Sequence, residues 1–141
     1  MEISKLNNNI TPSGTMAISN KARILKEQGK PVIGFGAGEP DFPTPSHVIE
    51  EVKIASENPA YHKYTAVGGL PILRDEISRT TKKYSNFEID PDNVVVTNGG
   101  KQAILTTFMS LLDPGDEVLI PSPYWTTYPE AVKISGGDPV V

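Results

Sequence analysis

The order of apolar runs from residue 93 onward constrains the fold of this chain more than any other feature. Residues 93–97 form a β-branched run through Val94, Val95 and Val96, the composition of a strand. Gly99-Gly100 leads from it into a segment with Ile104, Leu105, Phe108, Met109, Leu111 and Leu112. That spacing is helical and apolar over a wide arc, as in a helix covered by other elements. Asp113-Pro114-Gly115-Asp116 reads as a turn. A strand over 117–120, a helix over 129–134 and the start of a strand over 138–141 follow. Strand, helix and strand in this order make βαβ units with a parallel sheet. Such strands do not complete a doubly wound sheet, and the chain ends on Pro139-Val140-Val141, inside a strand-like run. The expectation is an incomplete α/β fold: an N-terminal arm and helix plus the first part of a mostly parallel doubly wound sheet.

Upstream, residues 1–14 are polar, contain Pro12 and Gly14, and read as an extended arm. Ile18, Ala22 and Leu25 fall at helical spacing within 15–28, and Gly29 with Pro31 supplies a stop. Residues 32–35 are a short strand candidate, followed by a loop rich in glycine and proline. Thr44 as N-cap with Pro45 in the first helical position predicts a second helix, lined by Val48, Val52 and Ala55. Asn58-Pro59 closes it. Leu70, Leu73 and Ile77 mark a third helix, with Pro71 in its first turn.

Composition narrows the function classes. Of 141 residues, 38% are hydrophobic and 21% charged, a globular balance. The net charge of -4 speaks against a nucleic-acid partner and against contact with anionic membranes. No run is long enough to span a bilayer, and Met1-Glu2-Ile3-Ser4-Lys5 does not begin a signal peptide. A cytoplasmic location is the default. There are no cysteines and only His47 and His62 as histidines, so disulfides, thiolate metal sites and His-rich metal sites are not expected.

Four loops could carry chemistry. Thr97-Asn98-Gly99-Gly100-Lys101-Gln102 joins a strand candidate to a helix. Helix N-termini present unpaired N–H groups and partial positive charge, which suits phosphate. A P-loop would need glycine where Val95 stands and serine or threonine where Gln102 stands, so that motif fails. The G-x-G-x-x-G fingerprint is absent too, and a plain tight turn accounts for two glycines equally well. Gly34-Phe35-Gly36-Ala37-Gly38 suggests close approach of backbone to a ligand, a neighbouring chain or nothing beyond a strained turn. Tyr124, Trp125 and Tyr128 lie beyond the carboxyl end of the 117–120 strand, where open α/β sheets bind ligands. They could stack on a flat ring or plug the sheet end. Tyr61-His62-Lys63-Tyr64-Thr65 lies between two helices, with hydroxyls that could reach a phosphate or simply pack at the surface.

Taken together these places resemble the class I aminotransferases of fold type I, in particular the bacterial aspartate aminotransferase subgroup that includes aspartate/prephenate aminotransferases. The stretches that carry the likeness are Ala37-Gly38-Glu39-Pro40-Asp41-Phe42, Lys63-Tyr64-Thr65 with Gly68-Gly69, and Leu73-Arg74. Gly99-Gly100-Lys101-Gln102-Ala103, Asp113-Pro114-Gly115-Asp116-Glu117-Val118 and Pro123-Tyr124-Trp125 with Tyr128-Pro129 complete the set. Order and spacing match from about Thr11 to Val141.

The resemblance implies pyridoxal 5'-phosphate (PLP) as cofactor, with amino-acid and 2-oxo-acid substrates. Gly100, Lys101 and Gln102 would offer N–H groups to the cofactor phosphate. Trp125 would stack on its ring and line the substrate site. Tyr64 would reach the partner's cofactor phosphate in a homodimer, and Gly38 would hold the substrate carboxylate. It also implies an N-terminal arm and small-domain segment over 1–45 and a partial PLP-binding large domain over 46–141. In relatives, the Schiff-base lysine, the aspartate at the ring nitrogen and the carboxylate-binding arginine lie further along the chain. None has a counterpart here, since Lys63 and Lys101 occupy other motif positions. The expectation is the N-terminal portion of an enzyme, without a catalytic residue of its own and inactive by itself. Relatives that use prephenate carry a basic residue where Thr11 precedes Pro12, so the resemblance favours aspartate with 2-oxoglutarate. A C–S lyase or related lyase of the same fold, and a non-catalytic phosphate-binding or dimerisation module, are the alternatives.

Overall fold

In chain order the computed structural model has five α-helices and two strands among the residues it describes, which are 4, 5, 8 and 10–141. The helices are α1 (Gly14–Glu27), α2 (Ser46–Glu57), α3 (Pro71–Ser85), α4 (Gly100–Leu111) and α5 (Thr127–Ile134). The strands are β1 (Glu117–Leu119) and β2 (Asp138–Val140), with 3-10 turns at Pro59–His62 and Pro91–Asn93. Much of the expected arm lies outside the described residues, and 10–13 carry no regular secondary structure. Contacts divide the chain into two compact units, Pro43–Ala103 and the flanking residues up to Phe42 with Ile104–Val141.

In the flanking unit, β1 and β2 pair in parallel, with Glu117 opposite Asp138, Val118 opposite Pro139 and Leu119 opposite Val140. The expected βαβ crossover is therefore formed, with α5 as its helix. The Asp113–Asp116 turn feeds β1. Asp116 N–H donates to the Asp113 carbonyl at 3.1 Å, and Asp113 N–H donates to the Asp116 carboxylate at 2.8 Å. Gly115 there takes φ +98°, which a side chain would resist. Ile120, Ala131 and Val132 form the buried core of this unit. Val132 is wholly enclosed, a burial worth about 1.5–3 kcal/mol. α1 begins where Ser13 Oγ accepts from the Met16 N–H at 3.4 Å. It ends at Gly29, whose φ of +75° lets Lys30 N–H return to the Leu25 carbonyl. Thr11 N–H donates to Glu130 Oε2 at 2.8 Å, tying the end of the arm to α5.

In Pro43–Ala103, α3 is the organising element. Pro71 stands at its first turn, as the sequence leads one to expect, and Asn86 closes it in the left-handed region at φ 52°. The returning chain is pinned along α3 at three points. Lys82 pairs with Glu88, Ser78 Oγ donates to the Ile89 carbonyl, and Arg74 Nε donates to the Pro91 carbonyl at 2.8 Å. Val94, the buried apolar residue of this unit, follows directly.

Four local expectations are corrected. Residues 93–97 and 32–35 are not strands. The first stretch is extended at Val94 (φ -102°, ψ 127°), but the inter-segment backbone bond recorded for it is Val96 N–H to the Gly68 carbonyl. A strand is defined by its paired neighbours, and β-branched composition supplies the backbone angles without the partner. The N-cap of α2 is Pro45, not Thr44, with Ser46 as first helical residue and no side-chain cap. α5 begins two residues ahead of Pro129, at Thr127, because proline needs no N–H donor in a first turn.

Candidate functional site

The turn that opens α4 is built from its own polar groups. Thr97 Oγ1 donates to the Gly99 carbonyl at 3.1 Å, and Gly99 N–H donates to the Thr97 carbonyl at 2.9 Å. Gly99 has φ +88°, so the tight reversal depends on glycine. The Gln102 side chain reaches back along the helix and accepts from the Asn98 N–H at 2.6 Å. Ala103 N–H then closes the first helical bond to the Gly99 carbonyl at 3.3 Å. The N–H groups of Gly100 and Gln102, ahead of that bond, have no hydrogen-bond partner among the described residues. A Cβ placed on Gly99 or Gly100 would meet nothing within 4 Å. No acidic residue stands in the first turn. Donors, helix dipole and open space therefore coincide where an anion would sit.

The glycine-rich loop at 34–38 resolves into two kinds of position. A Cβ on Gly36 would come within 2.9 Å of Ser19 Oγ and 3.0 Å of Ile18 Cγ2, and one on Gly34 would touch Ala22 at 3.5 Å. Those two glycines let the loop lie against α1. Gly38 has nothing within 4 Å of an added Cβ, so packing does not account for its lack of a side chain.

Trp125 lies between β1 and α5, half-exposed. Tyr128 meets it edge to face, with ring centroids 5.8 Å apart and an interplanar angle of 89°. An edge-to-face pair of this kind fixes the orientation of the indole. Tyr64 follows the Pro59–His62 turn and is fully exposed. That turn is fixed by Asn58 Oδ1, which accepts from the Ala60 N–H at 3.0 Å, and by a 2.9 Å contact between His62 Nε2 and the Ser56 carbonyl. Gly100, Lys101, Gln102 and Tyr64 thus belong to Pro43–Ala103, whereas Gly38 and Trp125 belong to the flanking unit. Among the described residues no three His, Cys, Asp or Glu side chains group as metal ligands, and no helix is long and apolar enough to cross a membrane.

Sequence reasoning did not anticipate two roles seen here. In the sequence Arg74 stands out only as part of a motif, yet its part-buried side chain clamps the Pro91 carbonyl. The Gln102 side chain closes its own turn. The signal for Gln102 was available, because a Gln four residues after Asn98 at a helix start has the reach of a capping side chain.

A family model described as "Aminotransferase class I and II" matches residues 30–141. The chain belongs to this aminotransferase family. It is 55% identical over 131 residues to the aspartate aminotransferase of Streptomyces avermitilis, covering 93% of this chain and 32% of that protein. It is 48% identical over 140 residues to the Geobacillus stearothermophilus aspartate aminotransferase, covering 99% of this chain and 35% of the relative. Among solved structures, the Thermus thermophilus aspartate aminotransferase with maleate superposes with a TM-score of 0.88 at 39% identity, over 99% of this chain and 36% of that one. The aminotransferase chain thus spans about a third of the length of these relatives. Its α/β architecture, helices with a short parallel sheet, is the corresponding part of their fold.

Proposed function

We propose that these residues form the cofactor-gripping part of an aspartate aminotransferase, which moves an amino group from L-aspartate to 2-oxoglutarate through PLP. The observation that carries this reading is the open glycine turn at the start of α4, in a chain 55% identical to an aspartate aminotransferase. The residues fit a phosphate: the N–H groups of Gly100 and Gln102 have no hydrogen-bond partner among the described residues, and a Cβ on Gly99 or Gly100 would meet nothing within 4 Å. Gly100, Lys101 and Gln102 would hold that phosphate, and the Trp125 indole would support the ring and border the substrate. Gly38, open at its Cα, would receive the substrate carboxylate at its N–H. Tyr64, exposed on its own protomer, would serve the phosphate bound by the partner in a homodimer. Bound there, PLP supplies an electron sink for the bond-breaking at the amino-acid carbon. The residues described here bind and orient it.

The proposal includes the division into an arm and small-domain segment over 1–45 and a partial PLP-binding domain over 46–141, and a cytoplasmic location. Among related reactions, the names of the relatives favour aspartate transamination over lyase chemistry. The test uses the full chain carrying these residues, supplied with PLP, aspartate and 2-oxoglutarate. Oxaloacetate and glutamate should form in equal amounts. Release of ammonia in place of glutamate would sink the reading. Residues 1–141 expressed alone should give no turnover, because neither Lys63 nor Lys101 stands at the Schiff-base position of the family motif.

A further inference from the structure

We propose that Arg74 is a positioning residue for the turn at the start of α4, setting its N–H groups for a phosphate monoester. The inference rests on the cofactor reading above. Its ground is a run of contacts within Pro43–Ala103. Arg74 stands on α3 with its side chain only 17% exposed. Its Nε donates to the Pro91 carbonyl at 2.8 Å and its Nη2 to Asp92 Oδ1 at 2.8 Å. Pro91 opens the 3-10 turn whose last bond, Val94 N–H to the Pro91 carbonyl, starts the extended run. Across from it, a Cβ on Gly68 would lie 3.6 Å from the Val94 carbonyl and 3.8 Å from Arg74 Nη1. Val96 N–H donates to the Gly68 carbonyl at 2.9 Å. The guanidinium therefore sits between the Gly68 backbone and the Pro91 carbonyl. It holds one end of the segment whose other end is Thr97-Asn98-Gly99.

The two halves of the clamp are unequal. Asp92 is 91% exposed, and water weakens an ion pair with so open a partner. The bond to the Pro91 carbonyl is part-buried and belongs to the backbone of the segment itself. Lysine would keep the charge and lose the fork that reaches two acceptors at once. A binding turn must be held to within about half an ångström to present its donors, so loosening this anchor degrades phosphate recognition without touching the ring-binding side chain.

The experiment measures dissociation constants for PLP and for pyridoxal, which lacks the phosphate, on the full chain carrying these residues. The variants are Arg74→Ala, Arg74→Lys, Asp92→Asn and Arg79→Ala. Arg79 is an exposed α3 residue paired with Glu76 and controls for loss of a guanidinium. The preference for PLP over pyridoxal should fall about tenfold in Arg74→Ala, fall partway in Arg74→Lys, and stay put in the other two. Pyridoxal affinity should hold throughout. An unchanged preference in Arg74→Ala, or equal weakening of both ligands, would overturn the proposal. If Arg74→Ala does not fold, a wild-type preference in Arg74→Lys overturns it instead. A wild-type protein with no preference for PLP removes the phosphate reading itself, a different result from a preference that survives the Arg74 changes.

Discussion

Two glycines in Pro43–Ala103 separate packing from binding at the scale of single residues. Gly69 has φ +106°, and a Cβ there would fall 2.7 Å from Val96 Cγ2 and 2.9 Å from Val96 Cβ. Gly69→Ala should cost about 1–3 kcal/mol from overpacking alone, read as a lower denaturation midpoint in urea. Gly100 has neither a positive φ nor a neighbour. Gly100→Ala should leave stability unchanged or raise it by under about 1 kcal/mol. It should weaken PLP binding roughly tenfold, because the new methyl group occupies the space left for phosphate. Tight PLP binding by a stable Gly100→Ala protein would show that the phosphate lies elsewhere. Sequence alone could not sort these glycines. Val96 lies far along the chain from Gly69, as Ser19 does from Gly36, so the clash that explains each is visible only after folding.

Among elements, the tether between the arm and α5 depends on pH. Glu130 accepts from the Thr11 N–H at 2.8 Å and pairs with Lys133 at 3.1 Å. Partial burial pushes its carboxyl upward, but the Thr11 hydrogen bond and then Lys133 outweigh this and hold it below the ordinary 4.5. A depressed carboxylate contributes stability that is complete above the unfolded value and is lost as pH falls through the folded one. The Thr11 amide should therefore exchange with solvent slowly at neutral pH and progressively faster, relative to its intrinsic rate, below about pH 4.5. Glu130→Gln should speed that exchange about tenfold at neutral pH and flatten the acid dependence. A pH-independent protection factor would refute the assignment. The helices were legible in the chain because capping and stop residues are local, as at Pro71 and Gly29. The crossover from β1 through α5 to β2 was legible from the strand, helix, strand order of the apolar runs, because such a connection favours a parallel pair. The strand expected at 93–97 was not formed, since pairing is a property of neighbours that composition does not encode.

For the whole molecule, the balance of buried and exposed apolar surface decides behaviour. Among the described residues Val94, Ile120, Ala131 and Val132 are the buried apolar side chains. Phe35 and Val67 are 91% and 100% exposed, and Met109 and Leu111 on α4 are open as well. Apolar surface on that scale marks contact with other protein. Residues 1–141 alone should therefore bind a hydrophobic dye such as ANS and melt over a broad range. A sharp two-state melt of a monomer that binds no dye would contradict this. The wide apolar arc of α4 was readable from sequence. So were the site positions as candidates, through their order along the chain. What sequence could not supply is the clamp at Arg74, since its acceptor is a backbone carbonyl with no residue-type signature.

The contact between Gly69 and Val96 also bears on descent. Trimming Val96 to alanine removes its γ-methyl groups, but its Cβ would still stand 2.9 Å from a side chain at 69. No ordinary shrinkage at 96 opens room at 69, and the φ of +106° would remain. Compensation by a partner change is closed off, so lineages drifting at position 96 cannot release position 69. Gly69 should therefore stay invariant among descendants even where Val96 varies among small apolar residues.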